Sequence, residues 1–300
     1  MLDLAYLATL RETYPLAYEA QPAPFTLRGT EFPHHPAPSL MGVVNLSRDS
    51  WYRESVVMNP EAAIRRGKRL ALEGAKLIDL GAESTVLDAE RVGEEDQIQR
   101  VLPVIEALSV SGILVSLETY SIEVAKRGLE AGAAVLNLTA GADRRPFYEL
   151  AAAHEAGVII CYVAGDHVRE VETLVMVEDH VGRLVDAFAQ EVENAVQAGV
   201  KALWLDPGLG FYYKNLQDSA ERVQYQMNAF LQGFRIRELG WPTCQALPHA
   251  FEFFEDEVRC AEPFFAVMSG LGKTDLIRTH EVSRVHGVLR TMECFDGGEG

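Results

Sequence analysis

Asp206-Pro207-Gly208-Leu209-Gly210-Phe211 follows the apolar run Ala202-Leu203-Trp204-Leu205, which sets a carboxylate at the end of an expected strand beside a backbone that glycine keeps narrow. The arrangement recurs along the chain. Asn45 ends Met41-Gly42-Val43-Val44, Asp79 sits in Leu77-Ile78-Asp79-Leu80-Gly81, Glu118 ends Leu114-Val115-Ser116-Leu117, and Asn137 ends Val135-Leu136. Arg278 and His280 close Leu276-Ile277-Arg278-Thr279-His280. Polar residues at the ends of buried strands are the raw material of a ligand site.

Glu118, Asn137 and Asp206 supply two acceptors and an amide, a set that orients a flat heterocycle through its amino and ring N–H donors. The alternative for Asp206 is a plain Asp-Pro-Gly turn. Thr85, in Glu83-Ser84-Thr85, offers a hydroxyl and backbone amides suited to phosphate, whereas Asp79 and Glu83 read as structural acceptors for neighbouring loop amides. The Asn45 amide suits a cation or a ligand, or else caps its strand; Ser47-Arg48-Asp49-Ser50 follows it on a loop. Arg278 and His280, separated by one residue, share a strand face where guanidinium and imidazole fit an oxyanion or pyrophosphate. A salt bridge from Arg278 to a barrel carboxylate is the other reading. His34, His35, His154, His167, His180 and His286 show no ligand spacing.

Something must bring these residues together. Eight Val-, Ile- and Leu-rich runs, near residues 40–45, 77–81, 113–117, 134–138, 157–162, 202–206, 243–247 and 274–278, alternate with segments able to form helices. Continuous apolar runs are what parallel strands buried on both faces require. Eight β-then-α units, each with polar residues after its strand, predict an α/β fold of the (β/α)8 barrel type, in which all eight C-terminal strand ends face one mouth. A doubly wound sheet uses the same alternation, but no glycine-rich dinucleotide fingerprint or P-loop supports it.

The barrel is expected over residues 39–292, with an N-terminal extension, 1–38, and a flexible tail, 293–300. Leu4, Leu7, Ala8 and Leu10 form the stripe of a short helix; Pro22, Pro24, Pro33, Pro36 and Pro38 make the rest of the extension non-helical, to pack over the barrel bottom or against another subunit.

The 300 residues are 48% hydrophobic and 24% charged, enough for a sizeable core, and no stretch reads as a membrane span. A formal charge of −17 argues against nucleic-acid or anionic-membrane partners, so an anionic ligand must be held by local donors. The first residues lack the basic region of a secretory signal, and Cys161, Cys244, Cys260 and Cys294 form no CxxC pair. These features suit a cytoplasmic protein whose cysteines pack as reduced thiols.

Four ordered blocks resemble the dihydropteroate synthase family. They are Met41-Gly42-Val43-Val44-Asn45-Leu46-Ser47-Arg48-Asp49-Ser50-Trp51, Ile78-Asp79-Leu80-Gly81-Ala82-Glu83-Ser84-Thr85, Asp206-Pro207-Gly208-Leu209-Gly210-Phe211 and Ile277-Arg278-Thr279-His280-Glu281-Val282. The resemblance spans roughly residues 38–292. It implies a pterin-binding barrel that joins a dihydropterin bearing a CH2-pyrophosphate to p-aminobenzoate, with release of pyrophosphate, in folate synthesis. It further implies that Glu118, Asn137 and Asp206 hold the pterin, that Asn45, Thr85, Arg278 and His280 hold the pyrophosphate, that Mg2+ enters through the pyrophosphate with Asn45 as its protein ligand, and that the chain forms a homodimer. Asn45, Arg278 and His280 would then be the catalytic set.

The chain also departs from the pattern. Glu118 replaces an Asp, Val86-Leu87-Asp88 replaces Arg-Pro-Gly, Leu138 replaces an Asp, and Pro248-His249-Ala250 stands where the family has Ser-Arg-Lys. The last change falls on the acceptor side and implies an amine other than p-aminobenzoate as an alternative. A related barrel that binds methyl-tetrahydrofolate for a corrinoid partner, and a non-catalytic pterin-binding homologue, are the remaining readings.

Overall fold

The computed structural model describes residues 2–32, 37–47, 56–57, 59–83, 91–139, 143–163, 177–209, 216 and 218–295. Two short strands come first, β1 (Phe25–Leu27) and β2 (Thr30–Phe32), paired antiparallel. Eight parallel strands follow: β3 (Ser39–Asn45), β4 (Ala75–Gly81), β5 (Leu114–Glu118), β6 (Val135–Leu138), β7 (Gly157–Cys161), β8 (Leu203–Asp206), β9 (Cys244–Ala246) and β10 (Leu276–Thr279). Their order is β8-β7-β6-β5-β4-β3-β10-β9. A parallel bridge between Leu205 and Thr243, with the Leu205 amide donating to the Pro242 carbonyl at 3.0 Å, joins the two ends and closes the barrel.

Each barrel strand is followed by a helix, from Pro60–Leu72 after β3 to Val282–Glu293 after β10. Local sequence starts these helices. Asn59 accepts from the Glu61 amide at 2.8 Å with Pro60 in the first turn, and Glu94, Glu95 and Asp96 set negative charge at the positive end of Glu94–Val110.

The strands alternate, and the two faces do different work. Outward residues such as Ile78, Leu80, Val115, Leu117, Leu136, Ile160 and Leu205 join one core with the helices. Inward residues divide by height. Met41, Leu77, Leu114, Val135, Ile159, Trp204, Cys244 and Leu276 make an apolar floor, and Leu27 and Phe32 of the hairpin pack into it. Above that floor the inward positions turn polar: Asp79, Ser116, Glu118, Asn137, Asp206 and Arg278.

The extension therefore lies on the barrel bottom. Its hairpin turns through Arg28 and Gly29, both with positive φ (47° and 79°), as a two-residue loop of the right twist requires. Phe25 and Phe32 meet Trp204 edge-on, with centroids 4.8 and 5.1 Å apart. The helical stripe expected of Leu4, Leu7, Ala8 and Leu10 is only partly used, since Leu10 is buried but Leu4 and Ala8 are exposed. Pro15–Glu19 is a second short helix, which the proline count did not suggest; Pro15 occupies its first turn, where its missing N–H costs nothing.

Trp204 is the keystone of the floor. Trp204→Ala should lower unfolding free energy by about 3–5 kcal/mol in urea titrations, as large-to-small changes at buried aromatics do. A loss below about 1 kcal/mol would mean that the hairpin and barrel floor do not pack as one core.

Candidate active site

Asp79 is fully buried inside the barrel and accepts hydrogen bonds from three other strands. Ser116 Oγ donates to Oδ1 at 2.7 Å, Arg278 Nε to Oδ2 at 2.7 Å, and Asn137 Nδ2 lies 3.3 to 3.4 Å from both oxygens. It is a structural acceptor, as its sequence context suggested, but of side chains from β5, β6 and β10 instead of loop amides. The loop reading failed because inward positions of a closed barrel face one another across its axis.

Glu118 stands one layer higher. Asn45, Gly81, Glu118 and Asn137 follow one another in register across β3, β4, β5 and β6. Arg278 Nη2 donates to Glu118 Oε2 at 3.2 Å, and Thr139 Oγ1 to Oε1 at 3.3 Å. Burial pushes the Glu118 carboxyl up to about 7, with Arg278 pulling it down and Asp79 and Asp206 pushing it further up.

Asp206 ends β8 and completes the ring. Its Oδ1 accepts the Gly208 amide at 2.8 Å across Pro207, and Gly208 sits at φ +74°, where a side chain would be strained. The turn and the inward carboxylate are thus one device. Burial raises the Asp206 carboxyl to about 6 against the opposing pull of Gly208, Arg278 and the Cys161 and Cys244 thiols. Burial, followed by Asp206, holds both thiols well above their usual range, so the two buried cysteines are protonated neighbours of a carboxylate.

Glu118, Asn137 and Asp206, expected together, are all buried at the C-terminal end of the barrel around Arg278. Asn45 ends its strand in the same layer. Thr85 lies outside the described residues, as do Arg48, Asp49 and Ser50. Arg278 takes the salt-bridge alternative: it pairs with two barrel carboxylates, which raise its pKa against the effect of burial. The shared face expected of Arg278 and His280 is not kept. β10 stops at Thr279, and His280 turns to Glu262 while Arg278 turns to Asp79.

Glu262, on the helix Ala261–Leu271, was not anticipated. It is fully buried, and its Oε2 accepts from Thr279 Oγ1, from the His280 amide at 2.9 Å and from the Glu281 amide at 3.1 Å. Its Oε1 faces His280 Nδ1 at 2.8 Å and His249 Nε2 at 3.3 Å. Burial alone would raise this carboxyl; the two histidines outweigh it and hold it well below the usual range. The available signal was an acid among apolar residues, Ala261-Glu262-Pro263-Phe264-Phe265-Ala266, with no basic residue within the next turn.

Comparison with known proteins agrees with this fold. The profile of the pterin binding enzyme family matches residues 41–243. Dihydropteroate synthase of Streptococcus pyogenes serotype M6 is 33% identical over 208 residues, covering 68% of this chain and 72% of that protein. The Synechocystis sp. dihydropteroate synthase is 29% identical over 287 residues, covering 91% and 96%. The Xanthomonas albilineans dihydropteroate synthase solved with 4-aminobenzoic acid superposes with a TM-score of 0.76 at 25% identity, covering 93% of this chain and 100% of that one. For the Thermus thermophilus enzyme in complex with 6HMPPP the TM-score is 0.72 at 25% identity, covering 91% and 100%.

The raised carboxyls have a consequence for stability. A Glu118 carboxyl lifted from 4.5 to about 7 stabilises the fold below the lower value, and that contribution is lost as pH rises through about 7. Asp206 acts with the same sign between 3.8 and about 6. Urea unfolding of Glu118→Gln should therefore show a smaller decline, or a steeper rise, of stability between about pH 5 and about pH 7 than the unsubstituted protein. Parallel curves for the two proteins would contradict the assignment.

Proposed function

Since the chain belongs to the dihydropteroate synthase family of pterin binding enzymes, we propose that it binds a dihydropterin carrying a CH2-pyrophosphate in the C-terminal mouth and transfers the pterin-methyl group to p-aminobenzoate or another amine, with release of pyrophosphate. The observation that carries this reading is the buried ring of Glu118, Asn137 and Asp206 around one guanidinium. The ligands of the T. thermophilus and X. albilineans enzymes, 6HMPPP and 4-aminobenzoic acid, support the same two substrate classes.

The division of labour follows from charge and hydrogen-bonding capacity. Buried carboxylates whose pKa is pushed up by burial gain from further donors, and the amino and ring N–H groups of a pterin supply them. Glu118 and Asp206 accept from those groups. Asn137 turns its Nδ2 to Asp79, so the amide oxygen is what it offers the ring. Asp79, Ser116 and Arg278 hold this layer in place; the guanidinium donors of Arg278 outside its two ion pairs, with His280 and Thr85, receive the pyrophosphate. The amine nitrogen bonds to the CH2 carbon as that carbon's bond to the pyrophosphate oxygen breaks; pyrophosphate leaves, the nitrogen gives up its extra proton to solvent, and no protein nucleophile takes part.

Mg2+ would sit with Asn45, whose side-chain oxygen at the end of β3 fits a hard cation that keeps most of its bonds to phosphate and water. Bound there, it would neutralise charge developing on the leaving pyrophosphate. By the family resemblance, Pro248-His249-Ala250 replaces a segment that reaches the acceptor subsite, and this favours an amine other than p-aminobenzoate as the second reading.

Calorimetric titration with the dihydropterin pyrophosphate tests the site. Binding should release a fraction of a proton per chain near pH 7, because donors from the ring favour ionised Glu118; Glu118→Gln should abolish that release. Asp206→Asn, which swaps an acceptor for a group with donors, should weaken binding by roughly tenfold to a hundredfold. Pyrophosphate release measured against a panel of amines then identifies the acceptor. No heat with the pterin, or unchanged affinity in Asp206→Asn, would overturn the reading.

A further inference from the structure

His249, Glu262 and His280 come from three separate segments: the loop after β9, the helix Ala261–Leu271 and the end of β10. One ligand atom from each lies within 4.8 Å of the others. Glu262 divides its two oxygens. Oε2 is fixed by the Thr279 hydroxyl and the amides of His280 and Glu281, while Oε1 is turned to both imidazoles at 2.8 and 3.3 Å. Hydrogen bonds that anchor one carboxylate oxygen and orient the other are the support a ligating carboxylate needs.

We propose that His249, Glu262 and His280 bind one divalent transition-metal ion of the zinc class. Two imidazole nitrogens and a carboxylate oxygen form a nitrogen and oxygen set suited to such an ion. The separations between these atoms need to change by less than about 1.5 Å to become edges of a tetrahedron with bonds of about 2.0–2.1 Å. Three protein ligands leave a position for water or an oxyanion, the pattern of reactive zinc sites instead of structural ones.

Charge gives the site a reason to exist in this chain. Ala250, next to His249 in the chain, stands where the family resemblance has Lys, and Val86 where it has Arg. Arg278, two residues before His280, is already compensated by Asp79 and Glu118. A divalent ion on the triad restores positive charge next to the place proposed for an anionic leaving group. The metal site goes beyond the pterin reading and stands without it, since the probe is the metal alone.

The test uses the full chain stripped with a chelator and titrated with Co2+ and with Zn2+. One ion per chain is expected, with the visible absorption of four- or five-coordinate Co2+. His249→Phe keeps a ring against Phe251, whose ring is stacked 5.2 Å away, but removes the nitrogen. It should weaken Co2+ binding at least about tenfold, with thermal melting used to confirm that it folds. His280→Gln serves as the second variant and should do the same. A stripped protein that takes up neither ion, or variants that bind Co2+ as tightly as the unsubstituted chain, would make the triad a hydrogen-bonded cluster only.

Discussion

The buried pair of Asp79 and Arg278 is what the mouth of this barrel is built around. A carboxylate with no solvent exposure cannot be left alone, and here it is met by a guanidinium, a serine hydroxyl and an amide. Removing one partner of such a pair typically costs about 3–5 kcal/mol, because the other stays buried and charged. Glu118 joins the pair through Arg278, and Asp206 interacts electrostatically with Arg278 and Glu118. Burial among these charges is the main cause that holds two of the carboxyls, Glu118 and Asp206, above their usual range.

The barrel supplies this polarity at one end only. Trp204 and the hairpin from the extension fill the other end with aromatic and aliphatic groups, so inward positions change from apolar to polar within a single strand. β4 goes from Leu77 to Asp79 in two residues, and β10 from Leu276 to Arg278. The sealed floor keeps water away from the lower layer and makes the dielectric low where the charges meet. Packing below thus sets electrostatics above.

A second acidic centre stands beside the first. Glu262 belongs to a helix outside the barrel, yet its carboxylate takes donors from the end of β10 and the loop behind it. It thereby locks the helix Ala261–Leu271 to the strand that carries Arg278. The direction of His280 follows from this contact, and so does the separation of roles between two residues that are near neighbours in sequence.

Eight strands, their order of appearance and the polar residues that end them were legible in the chain before any fold was known. Parallel strands covered on both faces must be continuous apolar runs, and any polar residue in such a run has to point into the barrel mouth or find a partner. Glu118, Asn137 and Asp206 could be read for that reason, as could the turn at Gly208. Who pairs with whom was settled by folding. The donors to Asp79 are 37, 58 and 199 residues away, separations at which no local pattern distinguishes a bare carboxylate from a paired one. Glu262 was hidden further, because an acid in the first turn of a helix reads as a favourable solvated charge until the fold buries it. Local chemistry fixes what each residue can do, and only closure of the barrel fixes which residues come within reach of one another.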